Sequence, residues 1–277
     1  MENLERFSGG EDYHKREVRD AETEKEIGLG KLEDGDEKFK REIESEMSGR
    51  VVVEISVERV ERAMAAERGG ASRIELCGSL DVGGVTPSVE LMRETRACVW
   101  APIFAMVRPR GGDFVYSAAE FEEMKSSIEA ARAAGMDGVV LGLLRLDGKV
   151  DAARTKELVR AAAPLPVTFH RAFDESADLF AALEDVVATG ASRLLTSGGE
   201  ATAPKAVARI AEFVRRARGQ VVVMPGSGIT AANAAEMAAA TGAKEIHAGL
   251  SSVVAGDAGE EEFEVEVRRL VAAVGES

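Results

Sequence analysis

Four times in this chain a glycine stands ahead of a short β-forming run: Gly70-Ala71-Ser72-Arg73-Ile74, Gly135-Met136-Asp137-Gly138-Val139, Gly190-Ala191-Ser192-Arg193-Leu194 and Gly242-Ala243-Lys244-Glu245-Ile246. Glycine at such a junction accepts the left-handed backbone that closes a helix. The four lie roughly 50 to 65 residues apart, room for a strand, a helix, a second strand and a second helix. Between them, β-rich runs alternate with alanine-rich amphipathic stretches, the pattern of a parallel sheet covered by helices. Strands are expected near 51–56, 73–77, 102–108, 138–142, 166–170, 193–197, 221–225 and 244–248. Eight parallel strands in four pseudo-repeats predict an α/β fold, a single closed (β/α)8 TIM-type barrel, with an open doubly wound sheet as the weaker alternative.

Helix starts carry their own signals. Thr86 before Pro87 reads as a cap with proline at the first helical position, Ser117 and Glu120 have the spacing of a capping box, and Thr230 precedes an alanine-rich helix as a cap.

Residues 1–48 are different in kind. They are rich in Glu, Asp, Lys and Arg with few large apolar side chains, so the segment is expected to be a disordered acidic arm, and 49–277 the barrel domain. Met47 offers an alternative beginning for the functional chain. Roughly half of the formal net charge of -14 falls in the first 50 residues, which argues against a nucleic-acid partner. No apolar run approaches the length of about 20 residues that spans a bilayer, and the charged start suits no targeting peptide. A protein free of the membrane, in the cytoplasm, is the expectation. Two cysteines, Cys77 and Cys98, in 277 residues make no disulfide framework and point to reduced thiols. Whether copies assemble into a homo-oligomer is left open.

Chemistry collects where strands end. Pro166 to Asp174 runs from β-formers straight into His170, Arg171 and Asp174. In a barrel every second strand residue faces the lumen, and the last of these line the mouth. That phase puts Glu54 with Ser56, Glu75 with Cys77, Met106 with Arg108, Thr168 with His170, and Glu245 with His247 on the inside. His170, Glu54, Glu75 and Arg108 are the catalytic candidates: an imidazole and a carboxylate for acid–base work near neutral pH, and a guanidinium for an anion. The plainer alternative is an ion network of Glu54, Glu75 and Arg108 that only fixes register. Two glycine-rich loops, Thr196-Ser197-Gly198-Gly199 and Gly226-Ser227-Gly228, suit an anion because backbone N–H groups can approach it. Arg110, Arg171, Asp174 and His247 complete the ligand-binding candidates. Cys77, inward and near the mouth, is the metal candidate, since a thiolate suits a soft ion such as Cu(I).

Several stretches together resemble the CutC family: Glu54 to Val57, Glu61 to Cys77, Gly83-Gly84-Val85-Thr86-Pro87-Ser88, Met106 to Ser117, Pro164 to Asp174, Leu195 to Gly199 and Val223 to Thr230. The likeness runs from about Val51 to Ser252. It implies a single cytoplasmic barrel concerned with copper homeostasis, and a pair of mouth cysteines as Cu(I) ligands. The second of the pair corresponds to Cys77, while the first falls at Ser56, a hydroxyl, so a two-thiolate site does not form within this one domain. Two functions are therefore expected to compete. In one, Cys77 binds and hands on Cu(I), helped by Met106, Met224 or an imidazole. In the other, an uncharacterised barrel enzyme uses His170 with Glu54 or Glu75 on a small phosphorylated or carboxylated ligand held by Arg108, Arg110 and the glycine loops. The sequence leaves open whether the protein is an enzyme.

Overall fold

The computed structural model describes residues 50–250, 253–254 and 259–275. The expected acidic arm and the alternative start at Met47 lie outside the described residues. Eight strands appear where the alternation puts them: β1 Val52–Val57, β2 Arg73–Leu76, β3 Ile103–Met106, β4 Gly138–Leu141, β5 Val167–Phe169, β6 Arg193–Thr196, β7 Val222–Pro225 and β8 Glu245–Ala248. Helices α1 Val60–Arg68, α2 Val89–Cys98, α3 Ala118–Ala133, α4 Ala152–Ala162, α5 Leu179–Thr189, α6 Val207–Ala217, α7 Ala234–Thr241 and α8 Glu260–Gly275 follow them in turn. No helix among the described residues is long and apolar enough to cross a membrane.

All pairings between these strands are parallel, in the order β7-β6-β5-β4-β3-β2-β1-β8. Sequence neighbours are therefore spatial neighbours throughout, and β7 and β8, at the two ends of that order, pack against each other. The sheet has no point where strand order reverses, as a doubly wound sheet must have. It is a nearly closed (β/α)8 barrel.

The glycines that mark the repeats hold the backbone expected of them: φ is +91° at Gly70, +77° at Gly135, +84° at Gly190 and +72° at Gly242. Ser117 accepts from the Glu120 N–H while the Glu120 carboxylate accepts from the Ser117 N–H, closing a capping box on α3. The other two expected caps are corrected by the structure. Ser88, not Thr86, caps α2 by accepting from Leu91 N–H, and the Thr86 hydroxyl is taken by the backbone of Arg108 instead. Thr230 lies four residues ahead of α7, and its N–H donates to Asn233 Oδ1.

Alternation along the strands divides apolar from polar. In β1, Val53, Ile55 and Val57 join the apolar core between sheet and helices, and Glu54 and Ser56 take the opposite face, toward the lumen. At the lower end of the lumen the third residue after each repeat glycine forms a layer contributed by the four even strands: Arg73, Gly138, Arg193 and Glu245. Gly138 leaves a space that the Phe104 ring fills, since a Cβ on Gly138 would lie 2.5 Å from the ring. Both arginines stack on that ring, with guanidinium carbons 5.0 Å and 5.2 Å from its centroid. Arg73 also donates to Glu54 and Glu245, and Arg193 donates to Glu245 at 2.9 Å. This salt-bridged floor carries the functional residues above it.

Candidate functional site

Above the floor, the carboxyl ends of the strands open into a cavity of about 860 Å³, lined among others by Ser56, Glu75, Met106, Arg108, His170 and His247. Three kinds of chemistry share its walls.

The first is a carboxylate and imidazole corner. Register sets Glu54 beside His247 across β1 and β8, and Ser56 beside Glu75 across β1 and β2. His247 Nδ1 lies 2.8 Å from Glu54 Oε1, and its Nε2 lies 3.8 Å from Glu75 Oε2. The Cys77 thiol donates to the same Glu75 oxygen at 3.6 Å. Burial alone would raise the pKa of Glu54, yet the His247 bond and the Arg73 charge outweigh it and hold that carboxyl at about 2. Burial, with the Glu54 charge adding to it, leaves Glu75 raised, and its Oε1 has no partner. His247 is raised despite burial, because both carboxylates favour its charged form. Burial first, and the Glu75 charge next, push the Cys77 thiol well above the ordinary range.

The second is the wall made by Arg108 and His170. Arg108 donates to the carbonyls of Val82, Gly84 and Gly112 at 3.1, 3.0 and 2.8 Å. Among the described residues it meets no carboxylate, and its buried Nε has no partner. The register network expected from Glu54, Glu75 and Arg108 is thus built by Glu54 with Arg73 and His247, without Arg108. His170 Nδ1 accepts from Ala172 N–H at 3.1 Å, which places the ring proton on Nε2, buried and unpartnered. Both side chains flank Phe114, at 4.7 Å for the guanidinium carbon and 4.9 Å for the imidazole centroid. Burial, with Arg108 adding its charge, lowers the pKa of His170 to about 3. Near neutral pH this imidazole is a fixed neutral hydrogen-bond donor, so the proton-transfer role expected of it does not suit its surroundings.

The third is the pair of glycine loops, and here the expected division of labour changes. The donors after β6 are already engaged by a carboxylate of the chain itself. Ser197 N–H and Oγ–H donate to Asp174 Oδ2, both at 2.9 Å, Gly199 N–H donates to Oδ1 at 3.0 Å, and the Thr196 hydroxyl donates to Oδ1 as well. Gly198 N–H turns inward to Thr196 Oγ1. Asp174 fills the cradle that the sequence offers to an outside anion, and Arg171 clamps it at 3.0 Å. Gly226 serves packing, since a Cβ there would lie 2.4 Å from Leu195. Ser227 and Gly228, both at positive φ, do line the cavity, as do Arg171 and Asp174. Arg110 does not: it is tied to Asp113 and Glu120 at 2.9 and 2.6 Å and braces the loop between β3 and α3.

Cys77 lies just behind the cavity wall, fully buried. It packs with Met106, Phe104 and Val140, and Gly84 closes over its sulfur so tightly that a Cβ there would lie 3.0 Å away. Met224 is turned the other way, its sulfur accepting from Arg73 at 3.4 Å in the floor. Cys98 is exposed, at the last residue of α2, and does not line the cavity. The residues the sequence reading passed over are Arg73 and Arg193, although each stands at the same place in a repeated Gly-Ala-Ser-Arg motif, a signal strong enough to have found them.

The sequence profile of the CutC family matches residues 51–252. The chain belongs to the CutC family. A CutC family protein of Chromobacterium violaceum is 48% identical over 204 residues, covering 74% of this chain and 83% of that protein. The human copper homeostasis protein cutC homolog is 46% identical over 196 residues, 71% of this chain and 72% of that protein. Among solved structures, CutC of Streptococcus agalactiae, described there by its link to copper homeostasis, superposes with a TM-score of 0.67 at 30% identity, over 72% of this chain and 98% of that one. Every wall residue of the cavity falls inside the CutC match. Within the CutC barrel, Ser56 occupies the lumen position beside Glu75 where the resemblance implies a first cysteine.

Proposed function

We propose that this CutC barrel serves copper homeostasis in the cytosol by holding one Cu(I) ion as cargo at Cys77. The observation behind this is the sulfur pair at the back of the mouth, where Cys77 and Met106 pack in one small cluster. Cu(I) favours thiolate, thioether and imidazole over oxygen, so Met106 is the natural second donor, Ser56 contributes none, and Met224 is occupied by Arg73. Anaerobic titration of Cu(I) against a chromophoric chelator tests the reading. One equivalent is expected in the wild type, none in Cys77→Ser, and binding weakened about tenfold in Met106→Leu, one lost soft ligand of two. Binding that ignores Cys77 overturns it.

A separate observation favours enzyme chemistry in the same mouth: Arg108 Nε–H and His170 Nε2–H are buried donors without acceptors, side by side on Phe114. Buried donors are costly to leave unpaired, so a small phosphorylated or carboxylated molecule gains by supplying the acceptor. Small carboxylates and phosphate esters should raise the melting temperature of the wild type and not of Arg108→Met. Equal response in both proteins removes this reading.

A further inference from the structure

Glu75 lies between His247 and Cys77. Its Oε2 is 3.8 Å from His247 Nε2 and 3.6 Å from Cys77 Sγ. Tetrahedral coordination, with bonds of about 2.0 Å to nitrogen and oxygen and about 2.3 Å to sulfur, puts neighbouring ligand atoms roughly 3.3 to 3.5 Å apart. Glu75 Oε2 stands at about such separations from both groups, and a turn of the Cys77 side chain toward His247 Nε2 completes the set. Glu75 Oε1 is the independent sign: the side chain is 5% exposed, and this oxygen meets no donor. A buried carboxylate oxygen without a partner is a position that a cation satisfies.

Glu54, Glu75 and His247 each offer a ligand atom within 4.8 Å of the others. Glu54, however, has both oxygens engaged, Oε1 with His247 Nδ1 at 2.8 Å and Oε2 with Arg73. It therefore stands outside the ligand set. An ionised Glu54 keeps the proton on His247 Nδ1 and turns the Nε2 lone pair toward Glu75, the relation that an outer carboxylate has to a metal-binding histidine.

We propose that Glu75, His247 and Cys77 form a site for a borderline divalent cation of the Zn2+ kind, with its fourth position open to the cavity. Glu75 and His247 both line that cavity, and three protein ligands with one free position are the arrangement of a metal that activates a bound molecule. Arg108 and His170 face the same space and would hold the acceptor group of that molecule. The site stands apart from the Cu(I) reading: Cys77 is common to both, Met106 belongs only to Cu(I), and Glu75 and His247 belong only to the divalent ion.

The full-length chain, stripped of metal and reduced, is titrated with Co2+ and Zn2+. One equivalent of Co2+ with the intense visible bands of a tetrahedral ion and a near-ultraviolet thiolate band is expected, the thiolate band vanishing in Cys77→Ser. Zn2+ affinity should fall at least 100-fold in Glu75→Gln and in His247→Gln, about 10- to 100-fold in Glu54→Gln, the positioning residue, and not at all in Met106→Leu. Cu(I) should reverse the pattern, weakened by Met106→Leu and retained in Glu75→Gln. A pale octahedral cobalt spectrum without a thiolate band overturns the site even where a variant fails to fold, and so does unchanged Zn2+ affinity in a folded Glu75→Gln.

Discussion

His170 owes its character to one backbone contact and to its burial beside Arg108. The Ala172 N–H fixes the tautomer, and burial beside Arg108 takes the ring from an ordinary pKa of 6.5 to about 3. Between these values the unfolded chain binds a proton that the folded chain refuses, so stability is complete above pH 6.5 and falls as pH drops toward 3. The slope is at most about 1.4 kcal/mol per pH unit. Glu54, held at about 2 against 4.5, loses its contribution only below 4.5. The raised His247 acts above 6.5, where its contribution is lost as it deprotonates. The raised Glu75 also acts above 4.5, with the opposite sign, because its folded form keeps a proton that the unfolded chain has lost. Across pH 4.5 to 6.5 the difference between the wild type and a His170 variant therefore reports His170. Urea midpoints measured across that interval should fall more steeply with acid in the wild type than in His170→Asn; parallel curves would mean that the imidazole is not held neutral. The residue itself was legible as a strand-end histidine, but its neutrality was not, because Arg108 comes from the loop after another strand, β3.

At the scale of elements, helix ends were legible wherever the signal is local. The left-handed glycines that precede β2, β4, β6 and β8 need no tertiary partner. Ser117 and Glu120 likewise satisfy each other. Ser117→Ala should lower unfolding free energy by about 1 kcal/mol, the usual worth of such a cap, as read by chemical denaturation. A change below the error of that measurement would show α3 to be held by packing alone. Thr86 misled because its hydroxyl pairs with Arg108, just past the strand that follows α2. The β6 loop misled for a related reason. Its donors have the pattern of an anion cradle, and only the three-dimensional course of the Arg171–Glu175 turn brings Asp174 into it.

On the scale of the whole molecule, the barrel is tied across its lumen by the charged floor. Arg73 reaches from β2 to Glu54 on β1 and Glu245 on β8, and Arg193 reaches Glu245 from β6. Replacing Arg73 with Met leaves Glu54 with His247 alone and Glu245 with Arg193 alone, and should cost about 3 kcal/mol, the lower end for breaking a buried ion pair. Arg73→Met combined with Glu54→Gln should recover part of the loss in denaturant titrations. A double mutant as unstable as the sum of the two singles would show that the floor is not one network. What the sequence determined by itself was the barrel and its lumen-facing residues, because strand alternation, repeat spacing and helix-ending glycines are local properties that chain connectivity turns into topology. It also marked Glu54, Glu75, Cys77, Arg108, His170 and His247 as residues of the mouth. Only tertiary structure decided which of them meet. His247 joins Glu54 across 193 positions of sequence, Arg73 takes Met224 across 151, and Asp174 closes the loop that seemed free for a ligand. Partner choice depends on register and curvature summed over eight strands, and no single segment of the chain carries that information.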